Sequence, residues 1–174
     1  TLMPEHGLVV GFGDTGSVGI GGITLGGGSG YLVRVHGLTI DNLLAVELVT
    51  ADGHVRTVDA ATDPELFWAL RGGGGNFGVA TRFRYQAHAL PRVTGGMLLL
   101  PATPGTIAGF IAAAEAAPDE LTAIANVMPA PPMPFLAPEH HGTTVILGLV
   151  AYAGEGAAAE TALLVPDGYR ADVF

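Results

Sequence analysis

With 174 residues, 49% of them hydrophobic and a mean hydropathy of +0.46, the chain holds enough apolar material for one domain or two small ones and is not a disordered protein. Sixteen acidic residues against seven basic ones, all of them arginine, give a net charge of -9, a balance that repels nucleic acid and anionic lipid. The absence of cysteine excludes disulfides, thiolate metal sites and thiol nucleophiles and leaves the redox compartment unspecified. The apolar runs Met97 to Leu100 and Ile107 to Ala114 are cut by Pro101, Pro104, Glu115 and Pro118, so none spans a bilayer. The first residues, Thr-Leu-Met-Pro-Glu-His, show neither a basic region nor an apolar signal core; no targeting is visible, which favours a cytoplasmic location without fixing one.

Gly7 to Phe12 reads as a short apolar strand running into Gly13-Asp14-Thr15-Gly16. Gly11, Gly13 and Gly16 satisfy G-x-G-x-x-G, but a dinucleotide fingerprint also needs a helix opening there and an acid about 20 residues on. Ser17-Val-Gly-Ile-Gly-Gly22 is a poor helix start, so the pattern reads as a decoy. The chain is organised around Val18 to Tyr31, where seven glycines in fourteen positions are interleaved with Val18, Ile20, Ile23, Leu25 and Tyr31. A flexible linker would be padded with polar residues instead, so the stretch reads as a folded loop that holds an anion.

Beyond it, Gly26 to His36 predicts a helical turn or two around Tyr31-Leu32-Val33, stopped by Gly37. Leu43 to Thr50 alternates Leu44, Val46 and Leu48 against Ala45, Glu47 and Val49, and Asp52-Gly53 predicts a hairpin into Val55 to Val58. Asp63-Pro64-Glu65 supplies an N-cap, a first-turn proline and an early acid for a helix carrying Leu66, Phe67, Ala69 and Leu70, expected to stop at Gly72. Trp68 reads as a partly buried packing residue of that helix, with a cofactor contact as the lesser reading. Arg71 serves the helix dipole, an acidic neighbour or a phosphate.

Gly72 to Gly78 is a second backbone-exposing loop, and Val79 to Tyr85 predicts a strand with Val79, Thr81, Phe83 and Tyr85 on one face. Pro91 closes this unit. A second unit follows: a strand from Val93 to Leu100, a helix from Thr106 to about Ala116, and a strand from Leu121 to Met128. A proline-rich loop to Pro138, a strand from Thr143 to Tyr152 and an alanine-rich helix from Glu155 to Val165 complete it.

The two glycine loops, rich in free N–H groups and without lysine, fit a diphosphate-containing cofactor; backbone packed on backbone in tight turns fits them equally. With no lysine at all, a Walker A loop is excluded. Only Ser17 and Ser29 are serines, and Tyr31 stands where a G-x-S-x-G elbow needs its last glycine. His140 and His141 are adjacent in a Pro-flanked loop, where neighbouring side chains point apart, so no metal site is expected.

Val18-Gly-Ile-Gly-Gly-Ile-Thr-Leu-Gly-Gly-Gly28, His36-Gly-Leu-Thr-Ile-Asp-Asn-Leu-Leu44, Val49-Thr-Ala-Asp-Gly53 and Asp63-Pro-Glu-Leu-Phe-Trp-Ala-Leu-Arg-Gly-Gly-Gly-Gly-Asn-Phe-Gly-Val79 together resemble the FAD-linked oxidases of the berberine bridge enzyme type. The resemblance runs continuously from about Gly7 to Leu90. It implies an α+β fold: part of a vanillyl-alcohol oxidase-type FAD-binding domain over residues 1–91, then part of an antiparallel-sheet substrate domain with covering helices over 92–174. It implies FAD as cofactor, with Val18, Gly19, Gly21, Gly22, Thr24, Gly27 and Gly28 against the diphosphate and ribityl region. Asp41, Asn42, Gly78 and Val79 would sit nearer the adenosine end; the bland readings are that Asn42 caps a turn and Val79 packs.

The sequence departs from the family in three places. The family's flavin-linking histidine lies in an upstream loop that nothing before Gly7 resembles, so Thr1 is expected to begin partway into the flavin domain. Thr15 stands where doubly linked members carry cysteine. The family's carboxy-terminal segment has no counterpart, and Pro166 to Phe174 show no family pattern.

The reading is thus a fragment of an oxidase that moves a hydride from an alcohol, sugar or amine to flavin and is reoxidised by O₂ with release of H₂O₂. The alternative is a non-catalytic FAD- or nucleotide-binding remnant. The expected partners are a small-molecule substrate and O₂, with no nucleic acid and no membrane. Incomplete domains would expose apolar surface, so self-association is expected. The catalytic base is usually a tyrosine or an acid of the substrate domain; Tyr152 and Glu160 lie in no trusted motif, and the base stays unassigned.

Overall fold

The computed structural model describes residues 2–3, 6–89, 92–134, 136–154 and 171–173. The chain divides into two compact units, Thr1–Leu90 and Pro91–Phe174. Every strand pairing among the described residues is antiparallel, so the α+β class holds and the parallel sheet that Gly11, Gly13 and Gly16 would need is not formed there.

In the first unit, β1 (Leu2–Met3), β2 (Leu8–Val9) and β6 (His88–Ala89) make one small sheet in that order. The strand expected over Gly7 to Phe12 is thus only two residues long. A second sheet has the order β4 (Val55–Asp59), β3 (Leu43–Val49), β5 (Val79–Tyr85). The hairpin forms as its turn residues dictate, with Val49 opposite Val55 and Gly53 at φ 78°. Helix α3 (Pro64–Gly73) starts where Asp63 accepts a hydrogen bond from the Leu66 amide at 3.1 Å. It loses helical geometry at Arg71 and at Gly72, whose φ of 113° is closed to most side chains.

Leu43, Val46, Leu48, Val58, Phe67 and Leu70 form the core between this sheet and α3, each large side chain contributing about 1.5–3 kcal/mol by leaving water. Two bulges alter the expected faces. Leu44 is the extra residue opposite the Arg84–Tyr85 step, which sends its side chain out at 41% exposure instead of in with Val46 and Leu48. Thr81 is the extra residue on β5, so Ala80, Phe83 and Tyr85 face the core while Val79 and Thr81 do not. Trp68 is 76% exposed, correcting its expected burial: Leu66, Phe67 and Leu70 take the inward stripe of α3, and position 68 lies about 100° round the helix from Phe67.

The glycine-rich segment yields the largest correction. Ile20–Leu25 is a helix, α1, despite its poor helix-forming sequence, and Val33–His36 forms a turn of helix, α2, ended by Gly37.

In the second unit, β7 (Val93–Pro101), α4 (Pro104–Ala116), β8 (Leu121–Pro129) and β9 (Thr144–Ala153) follow the expected order. Thr103 caps α4 by accepting from the Thr106 amide at 3.1 Å. The sheet order is β10-β7-β9-β8, with β10 (Ala171–Val173) on the β7 edge. Phe110 of α4 packs 3.2 Å from where a Cβ on Gly148 would stand, which places the helix over one sheet face. The helix expected over 155–165 lies outside the described residues. Among those described, no helix is long and apolar enough to cross a membrane.

Candidate functional site

Helix α1 carries two glycines in six residues, each costing about 1 kcal/mol relative to alanine, so its packing must hold it. Thr24 is fully buried; its hydroxyl donates to the Ile20 carbonyl at 2.7 Å and shares a 2.7 Å bond with the Tyr85 phenol. Burial pushes the Tyr85 phenol up, against the opposing pull of that bond, and keeps the ring neutral. Phe12 meets Tyr85 edge to face at 5.4 Å and Phe83 stacks at 6.1 Å. A Cβ on Gly21 would stand 3.3 Å from the Phe83 ring. Gly21 and Thr24, three apart, therefore form the inner face of α1.

Gly19 and Gly22 form the outer face. Nothing lies within 4 Å of a Cβ built on either, and the same is true of Gly16 and Gly27. Val18 and Ile20 beside them are 49% and 40% exposed. The glycines of the first loop thus divide by role. Gly13 abuts Ile23, and Gly28 and Gly30 press against the Thr39 side chain and the Phe12 backbone, where a Cβ has no room. Tight packing is thus seen at Gly13 and Gly28, against side chains, and at Gly30, against backbone, while Gly19, Gly22 and Gly27 leave the space beside them open.

The Gly27-Gly28 turn is tied to the 3-10 turn Thr39–Asn42. The Ile40 amide donates to the Gly27 carbonyl and the Thr39 amide to the Gly28 carbonyl, both at 2.9 Å. The Thr39 hydroxyl donates to the Gly11 carbonyl at 2.9 Å. Asp41, at the surface, accepts from the Leu38 amide at 2.9 Å and faces Arg71 at 3.4 Å. Asn42 is buried: its amide donates to the His36 and Leu38 carbonyls at 2.8 and 2.9 Å, and its oxygen meets His88 Nε2 at 2.5 Å. Its side chain thereby clamps the turn from within.

The structure gathers Val18, Gly19, Gly21, Gly22, Thr24, Gly27, Gly28, Asp41 and Asn42 around α1 and its neighbouring turn, and does not bring Gly78 and Val79 to Asn42. Leu43 pairs with Tyr85 and Val49 with Val79, so the two pairs sit at opposite ends of the β3–β5 ladder, about 20 Å apart. Gly78 is pressed against the Val49 carbonyl, while Val79 is 68% exposed. Tyr152 is 6% exposed within the core of the second unit, and Glu160 lies outside the described residues. His141 turns its Nε2 to the Leu136 carbonyl at 3.1 Å, and among the described residues no three His, Asp or Glu side chains converge as metal ligands would. Tyr85, Phe83 and Thr39, which hold the site together, were not singled out by the sequence. The one available signal was the presence of two aromatic residues, two apart, on a strand following the second glycine loop.

His36 stacks on His88, ring centres 4.0 Å apart, and its Nε2 is buried without a hydrogen-bond partner. Burial, and then the facing His88, lower its pKa below the ordinary 6.5. A depressed histidine value means that the unfolded chain binds the proton more readily. This contribution to stability is therefore complete above pH 6.5 and is lost as pH falls below it through the folded-state value. Thermal midpoints of the chain should fall as pH is lowered from 7.5 to 5, and His36→Phe should flatten that slope; equal slopes in the two chains would refute the assignment.

The family model described as a FAD binding domain matches residues 2–59. The chain is 49% identical over 86 residues to the FAD-linked oxidoreductase pgmH of Aspergillus terreus, covering 49% of this chain and 18% of that protein. It is 37% identical over 92 residues to glucooligosaccharide oxidase of Sarocladium strictum, covering 53% of this chain and 18% of that protein. The solved structure of 6-hydroxy-D-nicotine oxidase from Arthrobacter nicotinovorans superimposes with a TM-score of 0.77 at 30% identity, over 96% of this chain and 36% of that one. The chain thus spans about a fifth of the length of these curated relatives.

Proposed function

On the premise that residues 2–59 are part of a FAD binding domain and that the chain is akin to the FAD-linked oxidoreductases, we propose that it supplies part of an oxidase's flavin site and the first part of its substrate domain. The observation that carries this is the outer face of α1 with its following turn, where Gly19, Gly22 and Gly27 leave open space beside the backbone while Gly21 and Gly28 are packed. A diphosphate needs N–H donors at close range; in a chain with no lysine the uncovered backbone at Gly19 and Gly22 supplies them in this reading, since the Gly27 amide is already given to the Thr24 carbonyl at 3.2 Å.

In this reading the backbone at Gly19 and Gly22 binds the cofactor, and Val18 and Gly27, whose amides are already paired, border it and exclude water. Gly21, Thr24, Gly28 and Asn42 position them from behind, and Asp41 borders the turn. FAD supplies the acceptor for a hydride. The substrate is an alcohol, sugar or amine whose carbon gives up that hydride while its oxygen or nitrogen loses a proton. O₂ carries both electrons and two protons away as H₂O₂. The names of the sugar and nicotine oxidases above support this range. Unit Thr1–Leu90 is assigned to the flavin and unit Pro91–Phe174 to the substrate.

The test is the visible absorption spectrum of the purified chain after incubation with FAD and gel filtration, before and after acid precipitation. A flavin band retained by the native chain and released to the acid supernatant is the expected result. A chain that retains no flavin would overturn the reading in favour of a non-binding remnant.

A further inference from the structure

We propose that Arg71 is a positioning residue that locks the second glycine loop onto the first and so sets the Gly27-Gly28 turn for FAD, an inference that rests on the reading of that turn given above. Helix α3 leaves helical geometry at Arg71 itself, where ψ is 76°, and again at Gly72. The guanidinium lies 5.7 Å from the centre of the Phe67 ring. Its Nε donates to the Ile40 carbonyl at 3.3 Å and its Nη2 to Asp41 Oδ1 at 3.4 Å, so one planar fork spans two acceptors one residue apart. Asp41 is fixed in turn by the Leu38 amide on its other oxygen.

Ile40 is the junction. Its carbonyl takes Arg71 while its amide holds Gly27, and the Thr39 amide beside it holds Gly28. The first glycine loop is therefore anchored through residues 39–41 to the end of α3, from which the second loop departs. An exposed ion pair alone contributes little to stability. The shared anchoring of carbonyl and carboxylate by two separated nitrogens of a rigid plane is what a lysine, whose three donors radiate from one nitrogen, does not reproduce.

The test compares Arg71→Met, Arg71→Lys and Asp41→Asn in the full chain. Amide exchange at Thr39 and Ile40 is followed without FAD, and FAD affinity is followed by flavin fluorescence. Both Arg71 variants should exchange faster at these two amides and bind FAD about tenfold more weakly, as expected for losing hydrogen bonds from a charged donor, while keeping the parent's far-ultraviolet circular dichroism. Asp41→Asn added to Arg71→Met should cause little further loss. Unchanged exchange in Arg71→Met would overturn the lock, and full affinity in Arg71→Lys would overturn it in favour of simple charge. If the parent chain itself retains no FAD, the flavin reading of the turn fails, and the exchange rates alone decide whether the lock exists.

Discussion

A Gly30→Ala chain is expected to lose about 3 kcal/mol or more of stability and to melt far below the parent. Gly30 is buried with Phe12 and Gly13 crossing directly over it, and the added methyl would stand inside the Phe12 carbonyl. Backbone cannot step aside as a flexible side chain would, and Phe12 is also the edge-on partner of Tyr85, which holds Thr24 and α1. The damage should therefore spread from one methyl to the whole first unit. Circular dichroism melting checks it; a Gly30→Ala chain that melts with the parent would show that the crossing is not as tight as described.

Gly22→Ala should do the opposite. The position opens to solvent with nothing within 4 Å of the new methyl, and alanine favours a helix over glycine by about 1 kcal/mol, so the chain should melt at or above the parent's temperature. FAD affinity should nevertheless fall by about tenfold or more, because the methyl stands on the surface proposed to meet the cofactor. Flavin fluorescence titration of both chains reads this out. A stabilised chain with undiminished affinity would remove the outer face of α1 from the site. Two glycine-to-alanine changes eight residues apart thus separate packing from binding.

Much of this was legible from local chemistry. Asp63-Pro64 announced α3 and Asp52-Gly53 the hairpin, because a cap and a positive-φ turn are set by residues adjacent in sequence. The glycine pattern from Val18 to Tyr31 marked a folded loop by itself, whereas the roles given to its individual residues and to Asp41 and Asn42 came only with the resemblance. Helix α1 was not legible, since its sequence opposes a helix and its support comes from Phe83 and Tyr85 some sixty residues on, as the Thr24–Tyr85 bond shows. The bulges at Leu44 and Thr81 depend on how β3 and β5 meet, which neither strand's alternation records. Trp68, by contrast, can be placed from its own segment: a helical wheel puts it off the stripe of Leu66, Phe67 and Leu70.

That exposed indole is the only tryptophan in 174 residues. It stands largely in water when the chain is folded and would stand in water when it is unfolded, so its emission is a poor gauge of the folding transition. The same placement makes it an unobstructed optical reporter on the solvent side of α3, responsive to whatever settles there and nearly indifferent to the state of the core beneath.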